Sequence, residues 1–289
     1  MSGVTDFNKS VSGGANSTEA DRSRSRREFL RVVLTSGLAL GNPRFAMAAD
    51  WPCRWQLQAF HFHADFDLPQ HAPVVQELIE LQRTVPATLQ LPTSDESIHI
   101  YLFRSKRVYR NYLRQYFPGV PDRPAMYIKQ RGYGMVFAHT GPEFAVDVRH
   151  EATHAVLHCE LPFVPLWLDE GLAEYFEMPA AARFNGHPHL ADIRRELGRR
   201  RLPDLDRLEA ITDLASMTSS DYRDAWAWVH FLLHGPAEAH DVLLEYVRDI
   251  HQQTVPGPLA VRIRRKRPRY LGDFVRHFAE IEPLAELPS

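Results

Sequence analysis

The chain changes its hydrophobic period at Thr140. Upstream, runs with strand alternation and runs with helical spacing take turns; downstream, every apolar stripe has helical spacing. Such a pattern folds as α+β, with a small mixed sheet and its flanking helices first and a mostly helical lobe after it. Residues 55–66 alternate with strand period, although both faces are mixed. His61 and His63 share one face there; with no third ligand beside them they read as surface or packing residues. Behind Pro73, Val74, Val75, Leu78, Ile79 and Leu81 form a helical stripe, 98–103 reads as a buried strand, and Val108 to Tyr116 return to helical spacing before Pro118. Two strands follow, at 125–130 and 133–139, around Arg131-Gly132, where the glycine can turn the chain tightly. Later helices are expected at about 166–178, 190–199, 205–211, 221–233, 241–250 and 271–281. The basic run from Arg262 to Arg269 reads as a solvated loop or helix end on the surface.

The first helix after the change carries His150-Glu151-Ala152-Thr153-His154. Residues four apart share a helix face, so His150 and His154 can offer imidazole nitrogens to one Zn2+ ion while Glu151 faces the same cavity. Thr140-Gly141-Pro142-Glu143 reads as a capping box that starts the helix and sends Phe144, Val148, Ala152 and Val156 to the core. A catalytic zinc needs a third protein ligand and an open position for water. Asp169, Glu170, Glu174 and Glu177 are the candidates. Glu174, one turn beyond Glu170, is placed to accept the distal N–H of a ligating histidine, whereas Glu177 reads as part of a solvated acidic face.

The stretch Trp167-Leu168-Asp169-Glu170-Gly171-Leu172-Ala173 resembles the Trp-Leu-Asn-Glu-Gly-Phe-Ala signature of gluzincin metallopeptidases, including the M1-type aminopeptidases. The resemblance implies a zincin-like fold with the site in a cleft, Glu170 as third zinc ligand, and Glu151 as general base. The pattern from Glu170 through Tyr175-Phe176 is also similar to a peptidase-MA-like bacterial family of largely unassigned substrate. Tyr222, opening Tyr222-Arg223-Asp224-Ala225-Trp226-Ala227-Trp228-Val229, resembles the tyrosine that donates to the oxyanion in M1-type enzymes, although the same residues also form a core stripe at helical spacing. Two departures stand out. Fifteen residues separate His154 from Glu170, fewer than in the aminopeptidases, and the glutamate that anchors a free amine there has no counterpart in Gly132-Tyr133-Gly134-Met135-Val136-Phe137. Amino-terminal trimming is therefore not expected. Gly134, Met135 and Val136 are the expected substrate strand, binding an extended peptide through backbone groups.

Residues 1–48 read as a leader. Ser25-Arg26-Arg27-Glu28-Phe29-Leu30-Arg31 resembles a twin-arginine export signal, an apolar run extends over 32–40, and Ala46-Met47-Ala48 resembles a signal-peptidase site. The twin-arginine export machinery is then a partner, and the product is periplasmic or secreted. No later segment approaches the ~20 apolar residues of a permanent membrane span. Beyond residue 48 the chain keeps 27 Lys and Arg against 32 Asp and Glu, which disfavours a nucleic-acid partner. Residues 49–140 read as an α/β subdomain and 141–289 as the helical metallopeptidase subdomain. Cys53 and Cys159 are the only cysteines; a disulfide and two separate thiols are both open. The expected function is an exported zinc peptidase, an endopeptidase, acting on a peptide or protein substrate. Its rivals are an exported zinc-containing binding or assembly protein of the same fold without peptidase activity, and a metal-free structural domain in which the histidines pack.

Overall fold

The computed structural model describes residues 51–130 and 132–284, together with the main chain of Val32–Val33. The twin-arginine pair, the 46–48 site and Arg131 lie outside the described residues. The architecture is α+β: a small N-terminal mixed sheet and a mostly helical remainder.

The first strand signal resolves into two strands, β1 (Cys53–Leu57) and β2 (Phe60–Ala64), paired antiparallel. The turn between them has no glycine; Gln58 takes the left-handed conformation instead, at φ 54°. That conformation is unusual for a residue with a side chain, which is why the alternation reads as one continuous strand. Helix α1 (Pro73–Thr88) leads to β3 (Ile98–Phe103), and α2 (Lys106–Tyr116) leads to the hairpin β4 (Ala125–Gln130) and β5 (Tyr133–His139). Gly132, at φ 84°, supplies the expected turn. The sheet order is β1-β2-β3-β5-β4, with Val32–Val33 outside β4 in parallel register with Ile128–Lys129.

This order corrects the expected substrate strand. Gly134, Met135 and Val136 lie on β5, which is paired on both sides, in parallel with β3 and antiparallel with β4. Strand addition needs unpaired backbone groups, and β5 has neither side free to receive a peptide. The outer strand next to it is β4.

Strand alternation sorts the side chains into two layers. Tyr101, Phe103, Met126, Ile128, Met135 and Phe137 meet Trp51, Tyr109, Tyr112 and Leu113 on one face. Ile98, Ile100, Leu102, Tyr127, Val136 and Ala138 meet the helices on the other, in a core that continues to Ile281. There α3 (Phe144–Glu160) lies between α1, β4, β5 and α4 (Leu166–Phe176). Enclosed in this way, α3 buries every residue from Asp147 to His158. Its start differs from the expected one: Glu143 is the N-cap residue, and the Thr140 hydroxyl donates to Arg104 O at 2.6 Å instead of capping the helix.

The helical part continues with α5 (His189–Gly198), α6 (Leu205–Glu209), α7 (Ser219–His234), α8 (Ala237–His251), α9 (Leu259–Lys266) and α10 (Tyr270–Glu280). The basic run forms the C-terminal half of α9 and its flank and stays on the surface, with Arg264, Arg265 and Lys266 exposed. Leu259, Ala260 and Ile263 are buried, while Arg262 pairs with Asp249, Arg264 with Asp206, Lys266 with Glu245 and Arg267 with Asp273. These charges tie α9 and its C-terminal flank to α6, α8 and α10. Among the described residues no helix is long and apolar enough to cross a membrane. Cys53 and Cys159 are both free thiols; Cys53 Sγ donates to Leu68 O at 3.6 Å, and burial pushes the Cys159 thiol up to about 12.

His230 on α7 is fully buried, with Nε2 2.7 Å from Phe184 O and Nδ1 2.9 Å from His277 Nε2. Burial first, then the neighbouring His234, lowers its pKa to about 3, the main-chain acceptor only partly opposing them. A histidine depressed in the folded state binds its proton more readily when unfolded, so its contribution is complete above pH ~6.5 and drains away as pH falls toward 3. Between pH 7 and pH 4 the chain is therefore expected to lose about 3 kcal/mol more stability than a His230→Gln variant. Urea melts of both across that range check this; parallel curves would remove His230 as the cause.

Candidate metal centre

Helix α3 places His150 and His154 one turn apart, their rings 5.0 Å between centroids and steeply inclined. Helix α4 brings Glu170 against them: its Oε2 lies 3.6 Å from His150 Nε2 and 3.8 Å from His154 Nε2. All three side chains are buried, at most 1% exposed, and form a group that could hold a metal ion. Those separations are long for hydrogen bonds. A tetrahedral ion with bonds of ~2.0–2.2 Å holds its ligand atoms ~3.3–3.6 Å apart, which the arrangement approaches. Neither Glu170 oxygen has a hydrogen-bond partner among the described residues, a costly condition for a buried carboxylate unless a cation fills the gap. The residues therefore fit a divalent ion with an imidazole and carboxylate donor set.

The outer nitrogens of both imidazoles are fixed by carboxylates. His150 Nδ1 lies 2.9 Å from Glu177 Oε2, and His154 Nδ1 2.9 Å from Asp169 Oδ1. Glu177 is thus not on a solvated face: it is 8% exposed, and Arg149 Nε donates to its carbonyl oxygen. Glu174 stands close to His150 and Glu177, but its Oε2 is 3.0 Å from His189 Nε2. The expectation for Glu174 is corrected accordingly, with the anchoring hydrogen bonds made by Glu177 and Asp169. The other oxygen of Asp169 meets His158 Nε2 at 3.2 Å. The residue immediately before the third candidate ligand and the one seven beyond it are the signals for these roles.

Electrostatics follow from the same contacts. Burial raises the Asp169 carboxyl, but His154 and His158 outweigh it and hold it well below the usual range. Burial likewise opposes charge on Glu177, yet His150 and His187 bring it down to about 2. Burial disfavours the charged rings of His150 and His154, and carboxylates overcome it at each: Glu170 and Glu177 at His150, Asp169 and Glu170 at His154. Replacing Asp169 by Asn gives an anchor without charge that can present a donor to one histidine. Metal affinity is expected to fall about 10–100-fold in Asp169→Asn, read by competition with a chromophoric chelator.

Glu151 points from α3 to the same region, 1% exposed, and accepts a hydrogen bond from the main chain of Tyr127 on β4. Burial raises its carboxyl while His150 and His154 pull it down. Tyr222, near the start of α7, is 2% exposed; burial and then the charges of Glu170 and Glu174 push its phenol up. The structure thus brings His150, His154 and Glu170 together with Glu174 near His150, and Glu151 and Tyr222 feel their charges, while Gly134, Met135 and Val136 sit in the interior of the sheet.

Helix α4 approaches α7 closely at Gly171. A Cβ built there would lie 2.6 Å from Ala225 O and 2.8 Å from Val229 Cγ2. The glycine after Glu170 is what lets the two helices touch.

Residues 145–255, which include every residue of the metal-ion group, match the family model described as "Protein of unknown function (DUF1570)". No curated protein matches the chain. Among solved structures, the M1 zinc metallopeptidase from Deinococcus radiodurans is similar at 18% identity and a TM-score of 0.46, over 83% of this chain and 53% of that one. A two-domain M1 zinc metallopeptidase bound to L-arginine matches at 19% identity and a TM-score of 0.45, over the same shares. The chain spans about half the length of these structures.

Proposed function

We propose that the protein is an exported zinc peptidase of gluzincin type that cleaves within peptide chains. One observation carries the reading: a buried Glu170 carboxylate with no hydrogen-bond partner among the described residues, held 3.6 and 3.8 Å from two imidazole nitrogens of a His-Glu-x-x-His helix. His150, His154 and Glu170 hold the zinc, which when bound supplies Lewis acidity for a water and for the scissile carbonyl. Glu151 is the general base: its carboxylate takes the proton of the attacking water and returns it to the leaving amine. The Tyr127 N–H keeps that carboxylate aimed, and burial raises its basicity toward what neutral-pH catalysis needs. Tyr222 donates its phenolic proton in a hydrogen bond to the developing oxyanion.

An extended substrate lies along the outer edge of β4, whose Tyr127 already meets Glu151. That edge has the capacity to take an extended segment, since Val32–Val33 pair with it in the full chain. The leader ahead of residue 49 carries the folded chain through the twin-arginine route.

Elemental analysis of the zinc-equilibrated chain and of His154→Ala and Glu170→Ala tests the site, with a peptide library as substrate. Each variant is expected to lose one ion per chain and all hydrolysis. An unchanged metal content in both would overturn the ligand set; the ion retained with no turnover of any peptide would move the reading to a zinc-containing binding protein.

A further inference from the structure

Glu174, His187 and His189 form a second buried cluster beyond the first ligand set, with ligand atoms from all three within 4.8 Å of one another. Glu174 lies on α4 one turn past Glu170; His187 and His189 flank the start of α5, where Pro188 presents both rings to the same side of α4. None of the three is more than 4% exposed. We propose that they hold a second divalent transition-metal ion, separate from the ion of the candidate centre, with Glu177 standing between the two.

The spacing supports this. Glu174 Oε2 is 3.0 Å from His189 Nε2 and 3.6 Å from His187 Nε2, close to the ~3.3–3.6 Å between ligands of one tetrahedral ion. His187 Nε2 is buried and has no hydrogen-bond partner among the described residues, although it faces two carboxylates, with Glu177 Oε1 at 3.4 Å. A polar atom left in that condition costs free energy that a metal bond removes. Two imidazoles with a carboxylate suit zinc and its neighbours, whereas calcium and magnesium prefer oxygen alone. The His187 ring also stacks on Trp226 of α7, 4.8 Å between centroids, so its plane is held.

One contact ranks the two sites. The main-chain N–H of His189 donates to His187 Nδ1 at 3.1 Å, which keeps the neutral ring's proton on Nε2. Metal uptake must dislodge that proton and weaken the main-chain bond, whereas at His150 and His154 a carboxylate on Nδ1 keeps its hydrogen bond and supports the ring once an ion has displaced the Nε2 proton. The second ion is therefore the weaker of the two and leaves first. Glu177 links them: its Oε2 meets His150 and its Oε1 faces His187, so an ion at the second site steadies the carboxylate that orients a ligand of the first.

The test is metal stoichiometry of the full chain after equilibration with zinc and desalting, by elemental analysis, for the native protein, His189→Ala, Glu174→Gln, Glu170→Ala and His189→Ala/Glu170→Ala. The expected values are two ions in the native chain, one in each single variant and none in the double. Glu174→Gln nearly preserves side-chain volume, so it answers the question if His189→Ala fails to fold. In a chelator titration of the native chain, the ion released first is expected to be the one missing from His189→Ala. A native chain that saturates at one ion, lost in Glu170→Ala and kept in His189→Ala and Glu174→Gln, overturns the second site and leaves the peptidase centre standing. One ion kept in Glu170→Ala and lost in His189→Ala and Glu174→Gln supports the second site and removes the peptidase reading. Two ions persisting in both His189→Ala and Glu174→Gln also overturn the proposal.

Discussion

Glu151→Gln is expected to leave the zinc content of the centre unchanged and to lower peptide hydrolysis about a thousandfold, within the span that general-base catalysis supplies. The substitution isolates one function. Glutamine has nearly the same shape and its amide oxygen can still accept from Tyr127 N–H, so the helix and the ligands beside it stay in place. What it lacks is the ability to take a proton from water. Elemental analysis and single-turnover hydrolysis on the same preparation separate the two readouts. Undiminished hydrolysis with zinc bound would show that Glu151 is not the base.

Gly171→Ala is expected to lower the melting temperature by about 5–10 °C, corresponding to about 2–3 kcal/mol. The added methyl meets the main chain of α7 at Ala225 as well as Val229, and a carbonyl in the middle of a helix cannot rotate aside as a flexible side chain can. Helices α4 and α7 must separate, and Glu170, the preceding residue, moves with α4. Zinc affinity is therefore expected to fall together with stability. A thermal melt unchanged by the substitution would show that the helices are not in van der Waals contact at this point.

The grouping of His150, His154 and Glu170 was legible because these residues are close in sequence and helical geometry is regular. His150 and His154 needed only the four-residue spacing, and Glu170 needed only the resemblance of its surroundings. The 125–130 and 133–139 strands were equally plain because Gly132 marks the turn between them. Sheet order was not legible: alternation gives the face of each residue but not its lateral neighbour, so β5 looked available when it is paired on both sides. Glu177 was misread for a related reason. Its burial depends on Arg149 holding its carbonyl and on His150 and His187 meeting its carboxylate, contacts that come from other segments. The basic run was legible as surface, since Arg264, Arg265 and Lys266 are exposed at the end of α9, whereas the acids of α6, α8 and α10 that pair with its cations come from other segments.

The outer edge of β4, with only Val32–Val33 beyond it, shapes what selectivity can look like in the proposed peptidase. A polypeptide laid along that edge adopts the pleat, so successive residues face opposite ways. Alternate side chains meet the helical side, where α3 and its carboxylates lie, and the intervening ones turn to the layer of Tyr101, Phe103 and Phe137 or to water. Sequence preference in a cleavage profile should then recur at every second position around the scissile bond, with the intervening positions tolerant. The backbone contacts along the edge carry no sequence information of their own, so a peptidase of the proposed kind is expected to distinguish extended segments from folded ones before it distinguishes residues.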